Sequence, residues 1–229
     1  MRPAADPEPD RRPIASRDTR WANAVARLLT RWGATPNAIS IFGLLASFGA
    51  GACFYLTSWD LSYGWGLWLG GCLLIYLRLL ANMFDGMVAI EGGKGTPEGP
   101  LYNEIPDRLS DLVTLVCAGY AGGGSMELGY LASCVALLVA YVRSMAVTAG
   151  APNDFGGPLA KQQRMHVVVA GAIYTVLAPE NWQPAWGPGG DWGIMAVALL
   201  IIMVGGALTA LLRVRRAARW LRDSGRPSD

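Results

Sequence analysis

The sequence predicts an all-α polytopic membrane protein: six transmembrane helices preceded by a cytosolic amphipathic surface helix. Three observations predict it. Hydrophobic residues fill 52% of the 229 positions and charged residues only 16%, against about 25% charged in an ordinary soluble domain. The uncharged positions fall into runs of membrane-span length. The 19 basic residues all map to one side of those runs. A mean hydropathy of +0.30 excludes disorder for the bulk of the chain. Cys53, Cys72, Cys117 and Cys134 each lie inside an apolar run, without a CxxC pair or a neighbouring His, which excludes a disulfide scaffold or a zinc site. The net charge of +2 says little by itself, and no nucleic-acid partner is expected.

Each element follows in order. Residues 1–16, rich in Pro, Asp, Glu and Arg, read as a disordered tail. Residues 17–34 read as an amphipathic juxtamembrane helix: Arg20, Arg27 and Arg31 alternate with Trp21, Val25, Leu28, Leu29 and Trp32. Thr35-Pro36-Asn37 separates it from the first span, because proline disfavours helix in the residue before it. Residues 35–215 form the six-helix domain. Its uncharged runs are 38–59, 61–77 (continuing apolar past Arg78), 112–126, 128–142, 167–179 and 192–212. A span needs about 20 residues. The first and last runs qualify outright. The second qualifies if its helix continues through Arg78 and Asp85, the third if it includes Asp107 and Asp111, and the fourth with Arg143 near its end. The fifth is short. Residues 216–229 read as a basic cytosolic tail.

Lys and Arg orient the chain. Seven Arg precede the first span and six follow the last, and Lys94, Arg143, Lys161 and Arg164 flank the loops on the same side. The other loops carry only Asp60, Glu127, Glu180 and Asp191, with Trp59, Trp65, Trp182, Trp186 and Trp192 as an interfacial belt. Both termini are therefore expected in the cytosol.

Ionisable residues at the cytosolic ends of the second, third and fourth spans stand out, since charges at membrane depth are costly and mark sites. Arg78, Asn82, Asp85 and Ala89 fall on one helical face, within about 60°. The third helix is expected to open at Pro106, with Asp107 and Asp111 one turn apart on one face. Two antiparallel helices can aim Asn82, Asp85, Asp107 and Asp111 at one spot. Three carboxylates and an amide oxygen at close range call for a hard cation: Mg²⁺, Mn²⁺ or Ca²⁺. Mg²⁺ keeps phosphate in its shell, so a phosphate-bearing substrate is implied.

These residues resemble the CDP-alcohol phosphotransferase motif, D-x-x-D-G-x-x-A-R-x8-G-x-x-x-D-x-x-x-D, in Asp85, Gly86, Ala89, Asp107 and Asp111. Thr35 to Ser40 with Gly43-Leu44-Leu45 resembles the family's entry into the first span. Tyr141-Val142-Arg143 and Gly157 to Met165 resemble its basic loop after the fourth helix. The resemblance covers roughly residues 18–215.

The resemblance implies transfer of a phosphoalcohol from a CDP-linked donor to an acceptor hydroxyl, with release of CMP. The donor expected is CDP-diacylglycerol, the acceptor a small polar alcohol or an alcohol phosphate such as glycerol 3-phosphate, and the product a phospholipid. One or two Mg²⁺ or Mn²⁺ ions are expected on Asp85, Asp107 and Asp111, with Asn82 as a further ligand. Asp111 is the expected general base. Asn37, Gly86 and Ala89 are expected at the nucleotide, and Arg143, Lys161 and Arg164 at phosphate or acceptor. Membrane lipids and a second copy, as a homodimer, are the implied partners, and a bacterial inner membrane the implied location.

The sequence departs from the motif at three points. Asn82 stands at its first Asp, Ile90 at its Arg, and the segment before Asp107 is four residues longer, with Asn103 at its Gly. Glu91, Glu98 or Glu104 is a candidate to supply the charge lost at Asn82. His166, the sole histidine, has an interfacial structural role or a phosphate contact open to it. Two alternatives remain: transfer from a soluble CDP-alcohol to a lipid acceptor, and a catalytically inactive homologue acting as a scaffold. A transporter fits poorly, because the charges lie at one end of the helices and no internal repeat is visible.

Overall fold

A computed structural model describes residues 19–59, 64–91 and 99–224. The expected tail at 1–16, together with Asp60, Lys94 and Glu98, lies outside the described residues. The described residues form seven α-helices: α1 (Arg20–Arg31), α2 (Pro36–Leu56), α3 (Gly64–Glu91), α4 (Gly99–Gly119), α5 (Met126–Thr148), α6 (Lys161–Leu177) and α7 (Ile194–Ser224), with a 3₁₀ turn at Glu180–Trp182. Among them no strand forms; the nearest thing is a single antiparallel bridge, Trp186 to Trp192.

Local chemistry sets the helix starts. Thr35 Oγ1 accepts a hydrogen bond from the Ala38 N–H at 3.2 Å, and Pro36 occupies the first helical position of α2. Ser125 caps α5 in the same way through the Leu128 N–H. Helix α4 differs from expectation. It begins at Gly99 and carries Pro106 inside it rather than at its start. Proline removes one backbone donor, and the helix continues through that single loss, so Glu104 and Asp107 share one unbroken element.

Four helices, α2, α3, α5 and α7, are long and apolar enough to cross a membrane, and the chain is an integral membrane protein. The other two predicted spans fold as α4 and α6 without meeting that measure: Glu104, Asp107, Arg108 and Asp111 crowd the first half of α4, and α6 has 17 residues. Polarity is inverted relative to a soluble bundle. Phe42, Leu45 and Phe48 of α2, Leu73 of α3 and Val204 and Leu211 of α7 are exposed. The inward face of α2 is small: Ser40, Gly43, Ala46, Ser47, Ala50 and Gly51. Helices in lipid gain little from hydrophobic association and rely on close packing of such residues. A Cβ at Gly43 would stand 3.1 Å from that of Ala81, so α2 and α3 approach closely where α3 reaches Asn82.

Helix α2 packs on α3 and α4, α5 on α4 and α7, and α6 on α7 and α3. The central core joins Phe54, Ile75, Leu115, Met165, Leu199 and Ile202. Helix α1 lays Ala22 and Ala26 against Met83, Phe84 and Met87 of α3, with Trp21 edge-on to Phe84 at 6.0 Å. Its Leu28, and Trp32 just past its end, face outward. Helix α7 runs on to Ser224, so residue 216 marks no structural break. Instead, Arg216 Nε donates to Asp154 at 2.7 Å, Arg213 donates to the Gly156 and Val139 carbonyls, and the Leu159 N–H donates to Thr209. These bonds tie the α5–α6 connection to α7 and so position the first turn of α6, which carries Lys161 and Arg164.

Candidate active site

The site lies at one end of the bundle, where α2 and α6 begin, α3 ends, and α4 passes through its first half. Ser40, Arg78, Asp85, Asp107, Asp111 and Arg164 are all buried there. From α3, Arg78 Nη2 donates to Asp111 Oδ1 at 2.6 Å and to the Asp107 carbonyl at 3.3 Å. One turn on, Asn82 Nδ2 donates to Asp107 Oδ1 at 2.5 Å. From α6, Lys161 pairs with Asp107 Oδ2, and Arg164 Nη2 meets Asp111 Oδ2 at 2.8 Å. From α2, Ser40 Oγ donates to Asp85 Oδ2 at 2.8 Å, while Asp85 Oδ1 is buried without a hydrogen-bond partner. Two of the three carboxylates, Asp107 and Asp111, thus interlock with three cations, and the set with Asp85 is formally neutral.

The structure joins Asp85, Asp107, Asp111, Asn82, Lys161 and Arg164 in one constellation. Gly86 and Ala89 continue α3 beyond Asp85, and Asn37 lies one turn before Ser40 at the same end. Arg143 is placed elsewhere. It donates to Glu104 at 2.6 Å and stacks over Phe155 at 5.3 Å, bordering a cleft of about 560 Å³ with Glu104, Arg108 and Asn153. Glu104 also pairs with Arg108, so it is committed to two arginines and does not make good the charge lost at Asn82. His166 is exposed near the Tyr76 ring, 6.0 Å away, without a bond to the site.

Asn82 presents its amide nitrogen to Asp107, where its oxygen was expected as a metal ligand. The physical reason is the neighbour: an acidic acceptor at 2.5 Å selects the donor end of an amide. Among the described residues no three acidic, thiol or imidazole side chains converge as a metal cage, because guanidinium and ammonium groups stand between the carboxylates. The donor set nonetheless suits a hard cation. Asp85 Oδ1 is an orphaned, buried ligand atom, and a buried charge without a partner is costly.

Sequence reasoning missed two partners. Ser40 sits in a segment singled out for its resemblance, yet nothing local shows that its hydroxyl meets a carboxylate 45 residues away. Arg78 was visible on the same helical face as Asn82 and Asp85, and that shared face was the available signal.

No sequence-family model matches the chain. It is similar to the phosphatidylinositol phosphate synthase of Mycobacteroides abscessus, 30% identical over 171 residues, 71% of this chain and 73% of the relative. The enzyme of the same name from Mycobacterium tuberculosis is 30% identical over 186 residues, 79% of this chain and 81% of the relative. The crystal structure of Mycobacterium tuberculosis phosphatidylinositol phosphate synthase with CDP-DAG bound shares the fold, with a TM-score of 0.67 at 23% identity, covering 87% of this chain and 94% of that one. A second structure of that enzyme, in complex with manganese and citrate, matches with the same TM-score of 0.67. With that identity over most of both chains, and with the motif carboxylates gathered at one end of a shared helical fold, the chain belongs to the CDP-alcohol phosphotransferase family of metal-dependent transferases.

Proposed function

We propose that this chain synthesises a phospholipid, moving a phosphatidyl group from CDP-diacylglycerol to the hydroxyl of a small polar alcohol and releasing CMP. The observation that carries the proposal is the pairing of Asp107 and Asp111 with Lys161 and Arg164 beside the unsatisfied Asp85, at one end of an integral membrane bundle. The relatives' name favours an inositol phosphate as acceptor over glycerol 3-phosphate. A phosphate-bearing acceptor also suits Lys161 and Arg164, which a substrate phosphate can draw from the carboxylates they now pair with.

The chemistry needs a new acceptor O–P bond, loss of the P–O bond to CMP, and a home for the acceptor's proton. Asp111 receives that proton once substrate phosphate draws Arg164 away from its Oδ2. Lys161 and Arg164 bind phosphate, and Arg143 does so at the neighbouring cleft. Asn37, Gly86 and Ala89 leave room for the cytidine nucleotide. Asp85 and Asp107, with Asp111 beside them, hold Mg²⁺ or Mn²⁺, which when bound offsets charge on the departing phosphate. Ser40 orients Asp85.

The topology proposed with it has α2 to α7 as six spans in the domain 35–215. The juxtamembrane helix, 17–34, lies on the cytosolic leaflet, and both termini, including the basic segment 216–229, are cytosolic in a bacterial inner membrane. The protein is proposed to work as a homodimer. The test is CMP release from labelled CDP-diacylglycerol by detergent-purified protein, in Mn²⁺ or Mg²⁺ against EDTA. The acceptor arms are inositol phosphate, glycerol 3-phosphate, inositol, serine and glycerol. Metal-dependent release with one alcohol is expected. Folded protein that is silent with every acceptor, yet active with a soluble CDP-alcohol, would overturn the choice of donor.

A further inference from the structure

Arg78 is the most unusual group in the site. Its side chain is 1% exposed, it reaches Asp111 Oδ1 at 2.6 Å, and the same nitrogen lies 3.7 Å from Asp107 Oδ1. Its Nε and Nη1 are buried without hydrogen-bond partners. A guanidinium is always charged, and a buried one persists only where anions repay its desolvation. Here it lies between the Asp107 and Asp111 carboxylates.

Asn82 completes the arrangement. A carboxylate at position 82 would face Asp107 Oδ1 across the 2.5 Å now spanned by an amide N–H, and two anions that close require a cation between them. An amide donor does not. Arg78 and Asn82, one turn apart on α3, therefore replace both a positive ion and one of the negative charges that would hold it. Asp85 stands at the opposite edge of the cluster, 2% exposed, with Oδ1 unsatisfied.

We propose that the Arg78 guanidinium stands in for a second divalent cation, so that this chain binds a single ion, held on the Asp85 side of the site. The inference rests on the metal-binding reading above and deepens it: Arg78 positions Asp107 and Asp111 permanently, and Asp85, which makes no ion pair, is the ligand whose charge the single ion offsets.

The experiment is titration of the purified full chain in detergent with Mn²⁺ alone, following loss of the free-ion EPR signal. One ion per wild-type chain is expected. R78M is expected to take up a second ion, and R78K, which keeps the charge, to stay at one. Two ions in the wild type, one in folded R78M, or two in R78K would each overturn the inference while leaving the metal reading intact. No bound ion in the wild type would overturn the metal reading, and the inference would fall with it. Where R78M does not fold, as judged by its helical circular dichroism, the wild-type and R78K counts still decide.

Discussion

Asp111 and Glu104 are each flanked by two cations, and their surroundings set them apart. Asp111 lies between Arg78 and Arg164, with all three side chains at most 2% exposed. Glu104 lies between Arg108 and Arg143, and its own side chain is 47% exposed. The pairing chemistry is the same. In the buried trio water cannot replace a lost partner, so each charge depends on the others. In the second trio water reaches the half-exposed Glu104, although Arg108 and Arg143 are 22% and 17% exposed, so the pairs contribute less. The lesson is that burial, more than the number of ion pairs, marks which charged cluster the fold is committed to, and the buried one includes Asp111 of the candidate site.

The sharpest way to break the comparison is at Asp111. D111N keeps the shape and removes both the charge and the proposed proton acceptor. A loss of about 10²–10⁴-fold in CMP release is expected, measured under saturating Mn²⁺. A D111N enzyme within tenfold of wild type would remove Asp111 as the base. Next comes R164M, which leaves Asp111 with one buried cation. Breaking a buried pair from one side costs on the order of 3–5 kcal/mol, read as a large drop in thermal stability in detergent. A drop no larger than that of an exposed pair would end the contrast between the two trios.

A smaller effect is expected at Ser40. S40A deletes the one hydroxyl that Asp85 accepts from, and a buried acceptor left unmet costs about 1–3 kcal/mol. Weakened Mn²⁺ affinity with little change in helix content is the expected outcome. Unchanged affinity would separate Asp85 from the metal. The smallest effect belongs to E104Q: no more than about 1 kcal/mol, vanishing in high salt. Thermal unfolding in detergent checks it: an E104Q loss as large as that of R164M would erase the difference between the two trios.

Much of this was legible in order along the chain. Thr35-Pro36 announced the start of α2, and the helix of residues 64–91 does continue through Arg78 and Asp85 as the apolar pattern required. Asp107 and Asp111 do share a face that meets α3. Other features were not legible. Pro106 pointed to a helix start, yet α4 begins seven residues earlier, because one missing backbone donor is tolerated inside a packed helix. Arg143, read with Lys161 and Arg164 as one basic set, turned instead to Glu104 and Phe155. Rotation of α5 against α4 decides that, and no spacing within α5 reports it.

By itself the sequence determined which segments are helical, which end of them is charged, and which carboxylates belong together. Those properties repeat every 3.6 residues along one helix, or follow from the low tolerance of lipid for charge. Only the tertiary structure decided the partners: Ser40 for Asp85, Arg78 and Arg164 for Asp111, Lys161 and the nitrogen end of Asn82 for Asp107. These contacts join residues 25 to 54 positions apart on four different helices. Their existence depends on how closely small residues let those helices approach and how each is rotated about its axis. That is where a shared motif became a site whose positive charge is partly built into the chain.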